Sequence, residues 1–170
     1  MSFMAATGLR IGEAAAVTWD AVNFEAGTVE VRGTVIREKG QGLRIKPEPK
    51  TKAGWRTLLL PNWCVEMLRL RATTRFAKSD DPAFPAPLGG LRDPSNTQAD
   101  LRAAFDFAGE PGVTSHVLRK TVATLMDEAG LPARAAADQL GHSKTSLTQD
   151  VYYGRKVAST GAAKVLEALD

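Results

Sequence analysis

The chain has 170 residues, a length typical of one domain, and 44% of its residues are hydrophobic while 24% are charged. This composition excludes a disordered chain, a collagen-like chain and a coiled coil. The single cysteine, Cys64, excludes an internal disulfide and a multi-cysteine zinc site, and two histidines argue against a histidine-rich metal site. The apolar runs are too short to span a bilayer and the first residues lack the pattern of a signal peptide, so we expect a cytoplasmic protein.

Basic residues are concentrated in one segment of the chain. Between Arg32 and Arg56 there are eight lysines and arginines against two glutamates, so this segment carries +6, whereas the whole chain carries +3. A basic segment on a near-neutral domain is typical of a protein that binds a polyanion such as nucleic acid. The same pattern fits a β-hairpin whose edge is kept soluble by charge, and charge alone does not distinguish the two.

The predicted elements begin with a helix that ends at Gly8, a residue suited to the position after a helix C-terminus. A second helix is predicted over residues 11–17. β-Branched residues then predict a strand over 28–36, which a turn connects to a strand at 43–46, and a third strand follows at 55–60. We expect these three strands to form one antiparallel sheet.

The remainder of the chain is predicted to be helical, interrupted by a proline-rich loop over 79–94. Thr114 or Ser115 can cap a helix that runs to residue 129, and Gly130 and Gly141 are expected to end two successive helices. The predicted fold class is therefore mainly α with a small three-stranded antiparallel sheet (α+β). The predicted helices are 63–77, 96–107, 115–129, 132–140, and two pieces near 146–153 and 158–169.

Several polar residues stand at spacings that bring their side chains together. Arg10 and Glu13 are three residues apart at the start of a predicted helix, as are His116 and Arg119, and residues three apart share one helix face. A helix N-terminus also favours an anion such as phosphate. Taken singly, each of these pairs is more often a surface ion pair or a helix cap.

Together with three further residues, these groups make a set suited to phosphoryl transfer. Arginine forks bind phosphate oxygens in pairs, fixed cations stabilise the charge that grows on those oxygens, and lysine or histidine moves protons for a tyrosine nucleophile. The set contains no group of metal ligands, so we expect neither a metal nor another cofactor. The additional members are His142, a lysine of the turn Lys50-Thr51-Lys52, and one of the two tyrosines, Tyr152 and Tyr153.

In this order the motifs resemble those of the tyrosine recombinases, also called phage-type integrases. That family's pattern is Arg, Lys, His-x-x-Arg, His or Trp, and Tyr. The local contexts here are Thr-Gly-Leu-Arg-x-x-Glu, His-x-Leu-Arg-Lys-Thr, and Leu-Gly-His with a tyrosine ten residues later. The resemblance identifies six candidate catalytic residues: Arg10, Lys50, His116, Arg119, His142 and Tyr152.

The resemblance also implies a role for each of these residues. Tyr152 would attack a DNA phosphodiester and form a 3′-phosphotyrosyl link, while Lys50 would protonate the departing 5′-oxygen. The two arginines would hold the non-bridging oxygens, and Glu13 would orient the first of them. His116 would assist proton transfer and His142 would hydrogen-bond the phosphate, with no metal or ATP needed.

Double-stranded DNA is the expected partner, bound by a homotetramer that is nucleoid-associated in the cytoplasm, and no membrane or small-molecule substrate is expected. The candidate DNA-binding residues are Arg44, Lys46, Lys52, Arg56 and Lys120. Two assignments within the site stay open: the catalytic lysine is Lys50 or Lys52, and the nucleophile is Tyr152 or Tyr153. Ser115 stands where the family often has proline.

The pattern begins close to residue 1, so we expect residues 1–170 to be a catalytic domain that lacks its first helix and a separate N-terminal DNA-clamping domain. Loss of that helix is expected to leave an exposed apolar patch around Phe3, Met4 and the first strand. Two other functions stay open. One is a non-catalytic DNA-binding regulator, because residues 132–146 have some likeness to a helix-turn-helix, and the other is an inactive truncated integrase fragment.

Overall fold

The computed structural model describes residues 1–47, 55–73 and 80–142. Within them, two helices precede five short strands and four helices follow. A short 3-10 helix, Trp19–Ala21, lies between the second helix and the first strand. The elements are α1 (Ser2–Thr7), α2 (Ile11–Ala15), β1 (Val22–Asn23), β2 (Thr28–Val31), β3 (Gly33–Glu38), β4 (Gly42–Pro47), β5 (Arg56–Leu59), α3 (Asn62–Thr73), α4 (Pro94–Phe107), α5 (Ser115–Glu128) and α6 (Ala133–Leu140).

The predicted fold class, mainly α with a small antiparallel sheet, is confirmed, but the strand pairing differs from the prediction. The predicted strand over 28–36 is two strands, β2 and β3, that separate at Arg32 and enter different sheets. One sheet has the order β1-β2-β5, and the other is the hairpin β3-β4. All the pairs are antiparallel, with Val29 opposite Leu58 in the first sheet and Val35 opposite Ile45 in the second.

Close packing explains why the first residue of β3 is a glycine, Gly33. A Cβ at this position would lie 2.7 Å from the carbonyl oxygen of Lys46 and 2.9 Å from Cγ2 of Ile45, so only glycine fits there. The residue before it, Arg32, turns its side chain outward and pairs with Asp20 at 2.6 Å and Glu30 at 2.9 Å. Local β-propensity predicts extended backbone throughout this segment, but it does not show that the chain changes sheets.

The main core lies between the first sheet and helices α1 and α3. Val29 and Leu68 are fully buried there, and the aromatic ring of Phe3 lies 4.9 Å from that of Phe84. The expectation of an exposed patch around Phe3 and Met4 was wrong, because only 2% and 5% of their surfaces are exposed. Both side chains instead line an apolar cavity of about 250 Å³ that α1, α2 and α4 share.

A second, smaller core joins the helices that carry the site. Val122 and Ala123 of α5 pack against Leu140 of α6, and α5 also packs against α1. Thr114, one of the two predicted caps, holds the N-cap position of α5, but its side chain makes no capping hydrogen bond. The hydroxyl of Ser115 instead donates to Gln98 on α4 at 2.5 Å.

The predicted helices over 146–153 and 158–169 lie outside the described residues, as does the end of the predicted helix over 63–77. Among the helices that are described, none combines the length and the apolar character needed to cross a bilayer.

Candidate active site

The first half of the site forms where the chain passes from α1 to α2. Helix α1 ends because Gly8 adopts a left-handed conformation with φ of 70°, and Arg10 then takes the N-cap position of α2. The backbone N–H of Arg10 donates to Oε2 of Glu13 at 2.9 Å, and its Nη1 donates to Oε1 at 2.9 Å. The predicted Arg10–Glu13 pair is therefore confirmed, and the Arg10 side chain stays half-exposed.

Glu13 has a second cationic partner that the sequence did not indicate. Its carboxylate is buried and lies 3.2 Å from Nη2 of Arg56, whose side chain is only 9% exposed. Burial alone would raise the pKa of Glu13, but the charges and hydrogen bonds of Arg56 and Arg10 together lower it by more than burial raises it. The pKa of Glu13 therefore falls below its usual range. Glu13 is therefore a carboxylate that two guanidinium groups share.

Arg56 was predicted to be a DNA-binding residue at the surface, but its guanidinium points into the protein. Besides contacting Glu13, its Nε donates to the backbone carbonyl of Gln139 at 3.0 Å. Because both groups are protein atoms, Arg56 is part of the internal hydrogen-bond network around the site. The signal that the sequence offered, one more cation in a basic segment, does not distinguish this position from an exposed one.

Arg119 lies at the centre of the site and is almost completely buried, with 2% of its surface exposed. Its Nη1 donates to the carbonyl of Gly8 at 2.6 Å, and its Nη2 donates to the carbonyl of Leu140 at 2.5 Å. Nη2 also lies 2.8 Å from Nε2 of His142. Arg119 thus connects α5 with Gly8, in the connection between α1 and α2, and with the C-terminal end of α6.

The contact with Arg119 determines the protonation of His142. A guanidinium only donates hydrogen bonds, so Nε2 of His142 must accept, and the ring is neutral with its proton on Nδ1. Consistent with this, burial together with the charges of Arg119, Arg10 and Arg56 lowers the pKa of His142 to about 4, against a smaller opposing effect of Glu13. The ring is therefore uncharged at neutral pH.

The backbone at the end of α6 places His142 in this position. Gly141 adopts a left-handed conformation with φ of 69°, and the N–H of His142 donates to the carbonyl of Ala137 at 2.9 Å. This pattern is a Schellman motif. The last carbonyls of the helix then accept hydrogen bonds from Arg56 and Arg119, two cations at the end where the helix dipole favours positive charge.

His116 lies one turn from Arg119 at the start of α5, and its side chain is exposed. Partial burial and the charges of Arg119, Lys120 and Arg10 lower its pKa. Arg119 and Arg10 therefore act on both histidines.

The remaining predicted residues fall into two groups. Lys46 and Lys120 are exposed, and the guanidinium of Arg44 pairs with Glu38 on the hairpin β3-β4. The predicted lysine and nucleophile, together with their alternatives, lie outside the described residues: Lys50, Lys52, Tyr152 and Tyr153.

Sequence reasoning missed one residue at the site, Gln139. Its side-chain amide donates to the carbonyl of Thr7 at 3.0 Å, and its own carbonyl accepts from Arg56. Its position just before Leu-Gly-His was the available signal. The amide contact joins the end of α6 to the end of α1, and the carbonyl contact joins it to β5.

Comparison with known proteins shows the family of this chain. The model of the phage integrase family matches residues 1–158. The chain belongs to the phage integrase family. The resemblance inferred from the order of motifs is therefore confirmed.

Two curated relatives of this family member are a XerC-like tyrosine recombinase of Caldanaerobacter subterraneus subsp. tengcongensis and an integrase of Streptomyces ambofaciens. The first is 31% identical over 165 residues, which cover 86% of this chain and 42% of the relative. The second is 30% identical over 173 residues, which cover 92% of this chain and 44% of the relative. The family member described here therefore spans less than half the length of these relatives.

Solved structures of integrases and recombinases have the same fold. The structure of the Tn1549 transposon integrase in complex with transposon right end DNA matches with a TM-score of 0.79 at 22% identity. The match covers 99% of this chain and 57% of the integrase chain. XerA recombinase matches with a TM-score of 0.69 at 24% identity, and that match covers 99% of this chain and 54% of the XerA chain.

Proposed function

We propose that this chain is the catalytic domain of a site-specific DNA recombinase that cleaves and rejoins strands through a phosphotyrosyl intermediate. The observation that carries the proposal is the grouping of Arg10, Arg119 and His142, which come from three separate parts of the chain. Arg119 contacts His142 and the carbonyl of Gly8, two residues before Arg10, and the charge of Arg10 acts on His142. Two guanidinium groups beside a neutral imidazole suit a phosphodiester better than a carboxylate or a sugar, because charge grows on two non-bridging oxygens during the reaction.

Arg119 is suited to transition-state stabilisation because it is held before any substrate arrives. Its hydrogen bonds to the carbonyls of Gly8 and Leu140 fix the plane of the guanidinium in a buried environment. A cation held in this way needs little reorganisation when negative charge develops nearby, and electrostatic interactions are stronger in a site with little water. His142, with its proton on Nδ1, can add a hydrogen bond to phosphate without adding charge.

The proposed reaction is a transesterification. The hydroxyl oxygen of Tyr152 attacks phosphorus, the bond from phosphorus to the 5′-oxygen breaks, and Lys50 gives its proton to that oxygen. His116 assists removal of the tyrosine proton, since the unperturbed tyrosine pKa is about 10. Attack by another 5′-hydroxyl reverses these steps and joins new partners. The phosphotyrosyl bond conserves the energy, so the reaction uses neither metal nor ATP.

Double-stranded DNA is the proposed partner, bound along the basic hairpin and the exposed start of α5. Lys46 and Lys120 are exposed and available to phosphates, and Arg44 and Lys52 belong to the same basic segment. The relatives include an integrase whose structure was solved with transposon DNA. We further propose that a homotetramer assembles on two DNA duplexes.

Covalent trapping tests this function. The full chain is incubated with a pool of nicked duplexes in the presence of EDTA, the DNA is digested, and the peptide that carries Tyr152 and Tyr153 is searched for a nucleotide adduct by mass spectrometry. We expect an adduct on Tyr152 that is lost in Tyr152→Phe and retained in the matched control Tyr153→Phe. An adduct on Tyr153 would reassign the nucleophile. A folded chain that yields no adduct with any duplex would contradict the proposed activity of this chain.

A further inference from the structure

Arg56 connects two halves of the site that come from distant parts of the sequence. Its Nη2 contacts Glu13, 43 residues away, and its Nε donates to the carbonyl of Gln139, 83 residues away. The side chain is 9% exposed, and that of Glu13 is 3% exposed. A planar guanidinium can hold two such partners in fixed directions, whereas an ammonium group acts as a point charge.

The two partners of Arg56 are also the direct supports of two proposed phosphate-binding residues. Glu13 accepts hydrogen bonds from both the backbone and the side chain of Arg10. Gln139 lies in the last turn of α6, three residues before His142, and the Schellman motif joins that turn to the histidine. A movement of Arg56 would therefore be transmitted to Arg10 on one side and to His142 on the other.

We propose that Arg56 is a positioning residue, whose guanidinium fixes the distance between Glu13 and the C-terminal end of α6 and thereby the separation of Arg10 from His142. This inference rests on the proposed function. Arg56 does not touch the DNA, and in this respect it differs from the exposed cations of the same segment. Its charge also contributes to the low pKa of His142.

Hydrogen exchange in the DNA-free full chain tests the positioning directly. The informative amides are those of Arg10, which donates to Glu13, and of His142, which donates to Ala137. In Arg56→Lys and Arg56→Met we expect both amides to exchange about tenfold faster or more, while amides of the β2-β5 pair keep their rates. The Lys variant keeps the charge and loses the fork, so it also covers the case in which the Met variant does not fold.

Two exchange results would overturn the proposal. Unchanged rates at both amides would mean that Arg56 does not hold these segments, and a uniform increase over the whole chain would mean that it supports only global stability. The matched control is Arg32→Lys, because Arg32 also bridges two separate acceptors, the carboxylates of Asp20 at 2.6 Å and Glu30 at 2.9 Å, but lies between β2 and β3. We expect no change at the site amides in this control.

The salt dependence of binding to a random-sequence duplex separates positioning from DNA contact. Each lysine or arginine that neutralises a phosphate contributes about 0.9 to the slope of log K against log salt. We expect Arg56→Met to leave the slope unchanged and Lys46→Met to reduce it by about 0.9. An equal reduction in Arg56→Met would identify Arg56 as a phosphate ligand and overturn the proposal.

Failure of this inference can be distinguished from failure of the proposed function. The exchange and salt experiments require no cleavage, so they remain decisive when the wild-type chain forms no tyrosine adduct. Where the wild type does form the adduct, we expect Arg56→Lys to form it at least tenfold more slowly at saturating DNA. If Arg56→Lys formed the adduct at the same rate as the wild type, the positioning role of Arg56 would be contradicted.

Discussion

Replacement of the buried Arg119 by methionine should destabilise the chain as well as remove a proposed catalytic group. The guanidinium donates to the carbonyls of Gly8 and Leu140 and to Nε2 of His142, with 2% of the residue exposed. Methionine is flexible and of similar length, so it fills most of the space without leaving a large cavity. The change therefore isolates the loss of the hydrogen bonds from the loss of packing.

The expected magnitude follows from the two carbonyls that lose their donor. A buried acceptor without a partner costs about 1–3 kcal/mol, so the pair costs about 2–6 kcal/mol. Removal of a buried charge recovers part of this, because the guanidinium no longer has to be desolvated on folding. We expect the free energy of unfolding to fall by about 3 kcal/mol, a large part of the stability of a domain of this size.

Urea unfolding, followed by circular dichroism, measures this difference. The matched control is Arg134→Met, because Arg134 is 76% exposed and pairs only with Asp138 of its own helix among the contacts described, at 3.0 Å. An exposed pair of this kind contributes little, so the control should stay within about 0.5 kcal/mol of wild type. A loss below about 1 kcal/mol in Arg119→Met would refute the claim that its hydrogen bonds hold the site together.

Three further outcomes are expected from urea unfolding. Because the pKa of His142 is about 4 in the folded chain and 6.5 without perturbation, the unfolded state binds the extra proton, and stability should fall as pH drops from about 6.5 to 4. This loss of stability should reach up to about 3 kcal/mol in the wild type and be smaller in His142→Gln. If the two chains lost stability equally as the pH drops, the low pKa of His142 would be contradicted. Glu13→Gln leaves two guanidinium groups without their carboxylate, so it should lower the free energy of unfolding by about 3 kcal/mol. The control Glu66→Gln changes an exposed carboxylate and should lower it by less than about 0.5 kcal/mol. Similar losses in the two variants would disprove the shared ion pair. Gly8→Ala should lower the free energy of unfolding by at least about 1 kcal/mol more than the control Gly109→Ala. Both glycines have positive φ, but only at Gly8 would a Cβ lie 2.6 Å from a side-chain carbon of α6. Equal losses in the two variants would exclude the close packing at Gly8.

The sequence determined the elements that depend on local signals. Gly8 and Gly141 end helices in left-handed conformations, as their positions predicted, and the C-terminal ends of α4 and α5 agree with the predicted ones to within one residue. The Arg10–Glu13 pair is also local, because three residues of spacing at a helix start bring the two side chains together. The order of the motifs was sufficient to indicate the family.

The pairing of strands and the surroundings of the cations were decided only by the tertiary structure. β-Branched residues over 28–36 specify extended backbone, but a strand finds its partner through contacts far along the chain, so the change of sheet at Arg32 has no local signal. Likewise, Lys46 and Arg56 are both cations of one basic segment, yet the first is exposed, whereas the side chain of the second is only 9% exposed. The Arg56 guanidinium can turn inward because Glu13 and the end of α6 compensate its charge, and only folding brings these groups together.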